Sequence, residues 1–437
     1  MADVTLMKTA AETALAQAFE SAKTTLPGNA ESRAHAFEQF NLRGLPHRRV
    51  EEFKYTDLRA LLREIAPFAG VPTADEAKGA LQGSKAFGNV AALQVPFVNG
   101  HFVREAVDFH NLPEGIEIVP LREALADGHE WLAHLSPVPW ASDNPVYQLN
   151  TSFMADGVMI RVAGSVETPV HLRFVTAAAS AVATATRVLV VVEEGSSFTL
   201  IESHESTDGA NHQPNDVVEM LVGDRTNVQH VRLNAEGDKA LALSTLALKI
   251  GSEATFNSIN VVTGAATSRH QVYAILDGEN TNLRVNGATM LKGTQHGDST
   301  LVVEHNALHC ESRELFKTVV DDEATGVFQG KIIVPHHAQK TDGRMMSAAL
   351  LLGENAAMNN KPELEIFADD VQCAHGATCG QLDEDLLFYL MARGLPKKEA
   401  ESLLVQAFLG EAIEFVENES ARESLIGTVE SWLKARA

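Results

Sequence analysis

The chain has 437 residues and carries 35 Lys plus Arg against 58 Asp plus Glu, a formal charge of −23 at pH 7. That surplus repels phosphate backbones and anionic headgroups, which excludes nucleic acid and membrane surfaces as main partners. Three cysteines cannot form a disulfide framework, and Glu12 stands where a secretory leader needs its apolar run, so a reducing compartment, the cytoplasm, is expected.

Residues 1 to about 66 follow a helical period, with Ala14, Leu15, Ala18 and Phe19 and then Ala34, Phe37 and Phe40, punctuated by Gly44-Leu45-Pro46. The segment 48–58 mixes charge with aromatics and reads as the start of an amphipathic helix. Residues 67–150 are rich in Pro and Gly in places, with short apolar runs at 95–98 and 116–119, and form a transition region.

From about residue 155 the texture changes to short β-branched runs separated by Gly, Asn and Asp. Four runs end in a similar turn, opened by Gly195, Gly223, Gly251 and Gly278 at intervals of 28, 28 and 27 residues, and a related turn opens at Gly353. A fixed period of about 20–50 residues built of strands signals stacked coils, a β-solenoid, where a sandwich or jelly roll has no reason to repeat its turns evenly. The four glycines are expected in register along one edge, each supplying positive φ at a tight corner.

After Gly380 the pattern is helical again, with one stripe of Leu386, Leu387, Leu390 and Met391 closed by Gly394 and Pro396. A second helix carries Leu403, Leu404, Ala407, Phe408, Ala412, Phe415 and Val416, and a third covers 424–435. The division is thus 1–150, helical and transition; 151–380, solenoid; 381–437, a helical domain read as a docking surface. Because solenoid coils contact chiefly their neighbours, the core is expected to fold without this tail.

The densest chemical constellation is Cys373-Ala374-His375-Gly376-Ala377-Thr378-Cys379. On an extended strand residues i and i+2 share a face, so Cys373 and His375 project side by side and can approach one metal. Two ligands, or three if Cys379 folds back, leave the site incomplete, with the rest owed by another chain or by substrate. A buried Cys acting as a small hydrophobe is the plainer alternative. His336 and His337 point to opposite faces, and His305 and His309 are given no role. The segment Gly326 to Lys331 lacks the spacing and the Ser or Thr of a phosphate loop, so no nucleotide site is expected.

The stretch Asn360-Lys361-Pro362-Glu363-Leu364-Glu365-Ile366-Phe367-Ala368-Asp369-Asp370-Val371-Gln372-Cys373-Ala374-His375-Gly376-Ala377-Thr378 resembles the signature of the SufD family, subunits of the SufBCD iron-sulfur cluster assembly machinery. Phe388-Tyr389-Leu390, Arg393-Gly394 and Ala407-Phe408 continue the likeness, as do Gly44-Leu45-Pro46 and residues 49–56, with Phe53 where Trp is usual. The resemblance implies a mainly β chain, a right-handed parallel β-helix flanked by N-terminal and C-terminal helical regions. It also implies a non-catalytic scaffold that pairs with SufB, and a SufC ATPase docked on the C-terminal helices; whether the chain forms a homodimer in isolation is not decided by the sequence. A transient cluster or iron would then sit at the SufB interface on His375, with Cys373 beside it, while Cys379 lies outside the pattern. The alternative is a stand-alone metal-dependent β-helix lyase or hydrolase using Cys373 and His375.

Overall fold

The computed structural model describes residues 8–436. Sixteen strands between Asp156 and Gly380 alternate between two parallel sheets, so each of eight coils contributes one strand to each sheet. One ladder runs Val158, Val188, Val218, Leu246, Val272, Leu301, and on the facing sheet another runs Phe198, Val228, Phe256, Leu283. These side chains fill the lumen as one apolar core. The chain is therefore a mainly β solenoid with helices at both ends, as its period indicates.

The outer faces of both sheets are also covered, which is why the strands read as near-continuous apolar runs. Helices Ala10–Ala22, Ala30–Arg43 and Pro145–Phe153 lay Leu15, Phe19, Phe37, Phe40 and Phe153 over Ala185, Leu241 and Leu243 of one sheet. The first of these starts at a capping box between Thr9 and Glu12, and Glu12 also accepts from the Leu45 amide at 2.8 Å, fastening the Gly44-Leu45-Pro46 turn to it. Helices Lys397–Ile413 and Glu419–Arg436 bury Val405, Leu409, Leu425, Val429 and Trp432 against Ile201, Val231, Val261, Met290 and Val319 of the other sheet. The tail thus shares an apolar core with the outer face of the solenoid.

The transition region caps the first coil. Strand Leu93–Val98 pairs in parallel with Val170–Thr176 and antiparallel with His101–Phe102, and Ile116–Pro120 pairs antiparallel with Asp156–Val162. At the other end, strands Ala357–Ile366 and Gln372–Gly380 are the last of their sheets and pair on one side only.

Two local expectations are corrected. Residues 48–58 do not begin an amphipathic helix; they form a 3₁₀ turn, Glu51–Phe53, and the first residue of a single turn, Leu58–Leu61. Tertiary contacts hold the segment across four strands of the outer face. Phe53 lies under the Arg269 guanidinium at 4.0 Å, the Glu52 carbonyl accepts from Arg269 and Gln329, Thr56 bonds Asp298, and Glu51 pairs with Lys361 at 2.5 Å. The four repeat glycines share one edge, but only Gly195 has positive φ, at 70°. In the next three coils the left-handed residues are Arg225, Glu253 and Asn280, two positions after the glycine. Gly223, Gly251 and Gly278 are needed for close approach instead: a Cβ on Gly278 would stand 1.9 Å from the Ser252 nitrogen of the adjacent coil. Gly353 lies on the opposite edge, between Asp342–Leu351 and Ala357–Ile366.

Candidate functional site at the open end of the solenoid

The last coil exposes what every earlier coil buries. In strand Gln372–Gly380 the residues that continue the lumen ladders are Cys373, His375, Ala377 and Cys379, paired with Gly343, Met345, Ser347 and Ala349 of the preceding coil. No further coil covers them, so Cys373 is half-buried while His375 and Cys379 are exposed. The facing strand contributes Met358 and Leu364, which with Cys373 pack against the end of the lumen core.

Cys373 and His375 lie two residues apart on one face, about 7 Å along the strand. Cys379 does not fold back: the strand runs straight through it and carries it about 13 Å beyond His375. Burial pushes the Cys373 thiol up, and the charges of Asp342 and Glu314 act in the same direction against a backbone contact with Gly343. Such a thiol keeps its proton until a metal or another electrophile displaces it. Among the described residues no group of three His, Cys, Asp or Glu side chains is close enough to hold a metal ion. Cys310 is fully buried, with its sulfur 3.2 Å from the Gly278 carbonyl.

Of the other histidines named, His336 lies 6.1 Å from the ring of Phe367 at the corner of the last coil, and the rest sit in earlier coils. His305 is buried in the lumen, bonded through Nε2 to Ser312 at 2.9 Å, and burial pushes its pKa down to about 4, which keeps the ring neutral. His337 bonds Asn306, and His309 occupies a left-handed corner. The segment Gly326 to Lys331 lies inside strand Thr325–Val334 and forms no loop.

Two of the buried polar features that escaped the sequence reading lie in the lumen. One is a network in the middle coils: Glu202 accepts from His230 at 2.8 Å and contacts His204 at 3.2 Å, His204 lies 3.3 Å from Asp216, and Arg232 bonds Asn260 and Ser244. Burial would raise the Glu202 carboxyl, but the His230 charge and the two histidine hydrogen bonds hold it well below the carboxylate range. The other is Glu314, two coils below His375 in the ladder Glu314–Met345–His375, fully buried with no hydrogen-bond partner on either oxygen. The available signal was polar residues at period two inside otherwise apolar strands, as in Glu202-Ser203-His204.

A thiol and an imidazole on the unpaired end of a two-sheet repeat define a β-solenoid whose last coil leaves soft-ligand side chains uncovered. The family described as the SufBD core domain of the SUF system for FeS cluster assembly matches residues 174–408, and the SufBD N-terminal region matches residues 13–172. The chain is 33% identical over 383 residues to an iron-sulfur cluster assembly SufBD family protein of Synechocystis, covering 85% of this chain and 83% of that one. It is 31% identical to the iron-sulfur cluster assembly protein SufD of Escherichia coli, covering 88% and 89%, and 28% identical to SufD of Bacillus subtilis, covering 62% of each. The chain belongs to the SufBD family of iron-sulfur cluster assembly proteins. No helix among the described residues is long and apolar enough to cross a membrane.

Proposed function

We propose that this chain is the SufD-type scaffold of a cytoplasmic SufBCD assembly, non-catalytic itself, which pairs through its open solenoid end with SufB and docks the SufC ATPase on its C-terminal helices. In this reading residues 1–150 brace the solenoid, 151–380 carry the pairing edge, and 381–437 carry the ATPase surface. The nascent cluster, or the iron that precedes it, is cargo held between His375 and Cys373 and ligands from SufB. The observation that carries the proposal is the last coil itself: two strands unpaired on one side, with an imidazole and a thiol where a further coil would otherwise seal the lumen.

Physical chemistry supports the division of labour. An edge strand with free N–H and C=O groups is a template for a partner's strand. Imidazole is a borderline ligand that binds iron yet exchanges, as a cluster destined for transfer requires. Two ligands from this chain leave coordination positions for the partner and for sulfide. In isolation the same edge is available to a second copy of this chain. On the helical tail, Leu386, Phe388, Tyr389, Met391 and Leu403 are exposed, a density of apolar surface that suits a partner.

The test is His375→Ala in the assembled complex. His375 is exposed, so melting temperature and complex yield should stay within the range of a surface substitution, about 0.5 kcal/mol, while reconstituted cluster absorbance is lost. Cys373→Ser should give an intermediate loss and Cys379→Ser the least. Normal cluster yield from a well-folded His375→Ala complex would overturn the assignment.

A further inference from the structure

On the outer face of the ten-stranded sheet the last coils align a column of arginines. Arg284 pairs in register with Arg313, Arg313 with Arg344, and Arg344 with Ala374, the residue before His375. Adjacent strands are about 4.8 Å apart, so three like charges in one ladder repel one another. Compensation is partial. Asp342 accepts from Arg313 at 2.8 Å and from Arg344 at 3.0 Å, and Glu311 lies 3.9 Å from Arg313. Arg284 has no carboxylate within 4 Å among the described residues; its guanidinium lies 4.1 Å over the ring of Phe415, just past helix Lys397–Ile413. These arginines, with Leu315, Met346 and Phe415, line a cavity of about 450 Å³.

We propose that this cavity binds an organic phosphate, the phosphate held among the guanidiniums and a flat or apolar body laid against Phe415, Leu315 and Met346. A phosphate monoester carries about −1.5 to −2 charges and three acceptor oxygens, which suits adjacent guanidinium forks better than a single carboxylate does. On a chain of charge −23 most of the surface repels such an anion, so a column with surplus positive charge selects its own location. The cavity also joins two parts of the molecule, because Phe415 belongs to the helical tail and Ala374 and Gly376 to the last strand. An occupant ties the tail to the open edge. The guanidinium column lies on the face of the strands opposite the lumen ladder Glu314–Met345–His375, and those three residues also border the cavity.

The test is calorimetric titration of the full chain at low salt with adenosine monophosphate, inorganic phosphate and adenosine as probes. Adenosine monophosphate should saturate one site, inorganic phosphate should compete for it at least about tenfold more weakly, and adenosine should not bind. Loss of one charge-assisted contact in Arg284→Gln or Arg344→Gln should weaken adenosine monophosphate by about tenfold or more. Phe415→Leu should weaken adenosine monophosphate and leave inorganic phosphate unchanged. Unfolding curves matching the parent keep these comparisons meaningful, and Arg344, the exposed member of the column, is the substitution least able to disturb packing. The proposal is overturned if neither phosphate saturates at millimolar concentration, if the Arg284→Gln/Arg344→Gln double variant binds as the parent does, or if inorganic phosphate binds as tightly as the nucleotide.

Discussion

Glu314 shows how one residue inside the solenoid sets a pH response. Burial pushes its carboxyl up to about 8 from an ordinary 4.5, and the nearby Ser312 hydroxyl, the charge of Arg313 and its own backbone amide pull it back only in part. Between those values the unfolded chain releases a proton that the folded chain keeps, so stability falls as pH rises through the window and levels off above 8, by up to about 1.4 kcal/mol per unit. Glu314→Gln keeps the shape and removes the titration. Melting temperatures should therefore show the variant gaining on the parent from pH 5 to pH 8, by roughly 2–4 kcal/mol in all. A difference that stays constant with pH would mean that Glu314 is hydrated or paired in solution. The placement of His375 beside Cys373 on one strand face, by contrast, was legible from the sequence through the period of two. Glu314 was not, because a single Glu between Arg313 and Leu315 looks like a solvent-facing position until the coils are stacked.

At the scale of the coil, the corners separate two uses of glycine that a repeat in the sequence cannot tell apart. Gly195 has φ of 70° and open space around its missing Cβ, whereas Gly278 has an ordinary φ and backbone of the adjacent coil within 2.4 Å of where a Cβ would stand. Gly195→Asn should therefore cost little, since Asn280 and other side chains hold the equivalent left-handed position, and Gly195→Ala about 1 kcal/mol. Gly278→Ala should cost well above that, because the adjacent backbone must move. Denaturant midpoints for the three variants check the order, and equal losses at both glycines would refute it. The 28, 28 and 27 residue spacing made the solenoid legible because stacked coils have similar lengths, but the glycines are not in register: the ladder from Val192 to Val222, Ile250 and Leu276 advances by 30, 28 and 26 residues, which sets Gly195 level with Arg225. Residues 48–58 were misread because their structure comes from contacts with Arg269, Gln329 and Lys361, more than 200 residues away in sequence. The arginine column had a signal as well: Asn282, Glu311 and Asp342 each stand two residues before an Arg at the start of three alternate strands. It becomes visible only when those strands are laid side by side.

For the whole molecule the question is what the helical tail does for the coils. The long helices Lys397–Ile413 and Glu419–Arg436 cover Ile201, Val231, Ile259, Val261, Met290 and Val319 on the outer sheet face, and each such aliphatic side chain is worth about 1.5–3 kcal/mol buried. Removing both helices uncovers a surface comparable in energy to the entire stability of a typical domain, about 5–15 kcal/mol. Truncation after residue 396 should therefore yield aggregating protein without a cooperative unfolding transition. Helix Glu384–Ala392 is different, since none of its residues is buried and Phe388 is 72% exposed. Leu386→Glu with Phe388→Asp should leave the melting temperature nearly unchanged, each within about 0.5 kcal/mol, and abolish retention of SufC in a pull-down. The edge strand Gln372–Gly380, proposed above as the SufB contact, lies outside that helix, so retention of SufB by the same variant should persist. Loss of both partners together, or a truncated chain that stays monomeric with its β circular dichroism intact, would show that the tail and the solenoid are coupled differently from the packing described above.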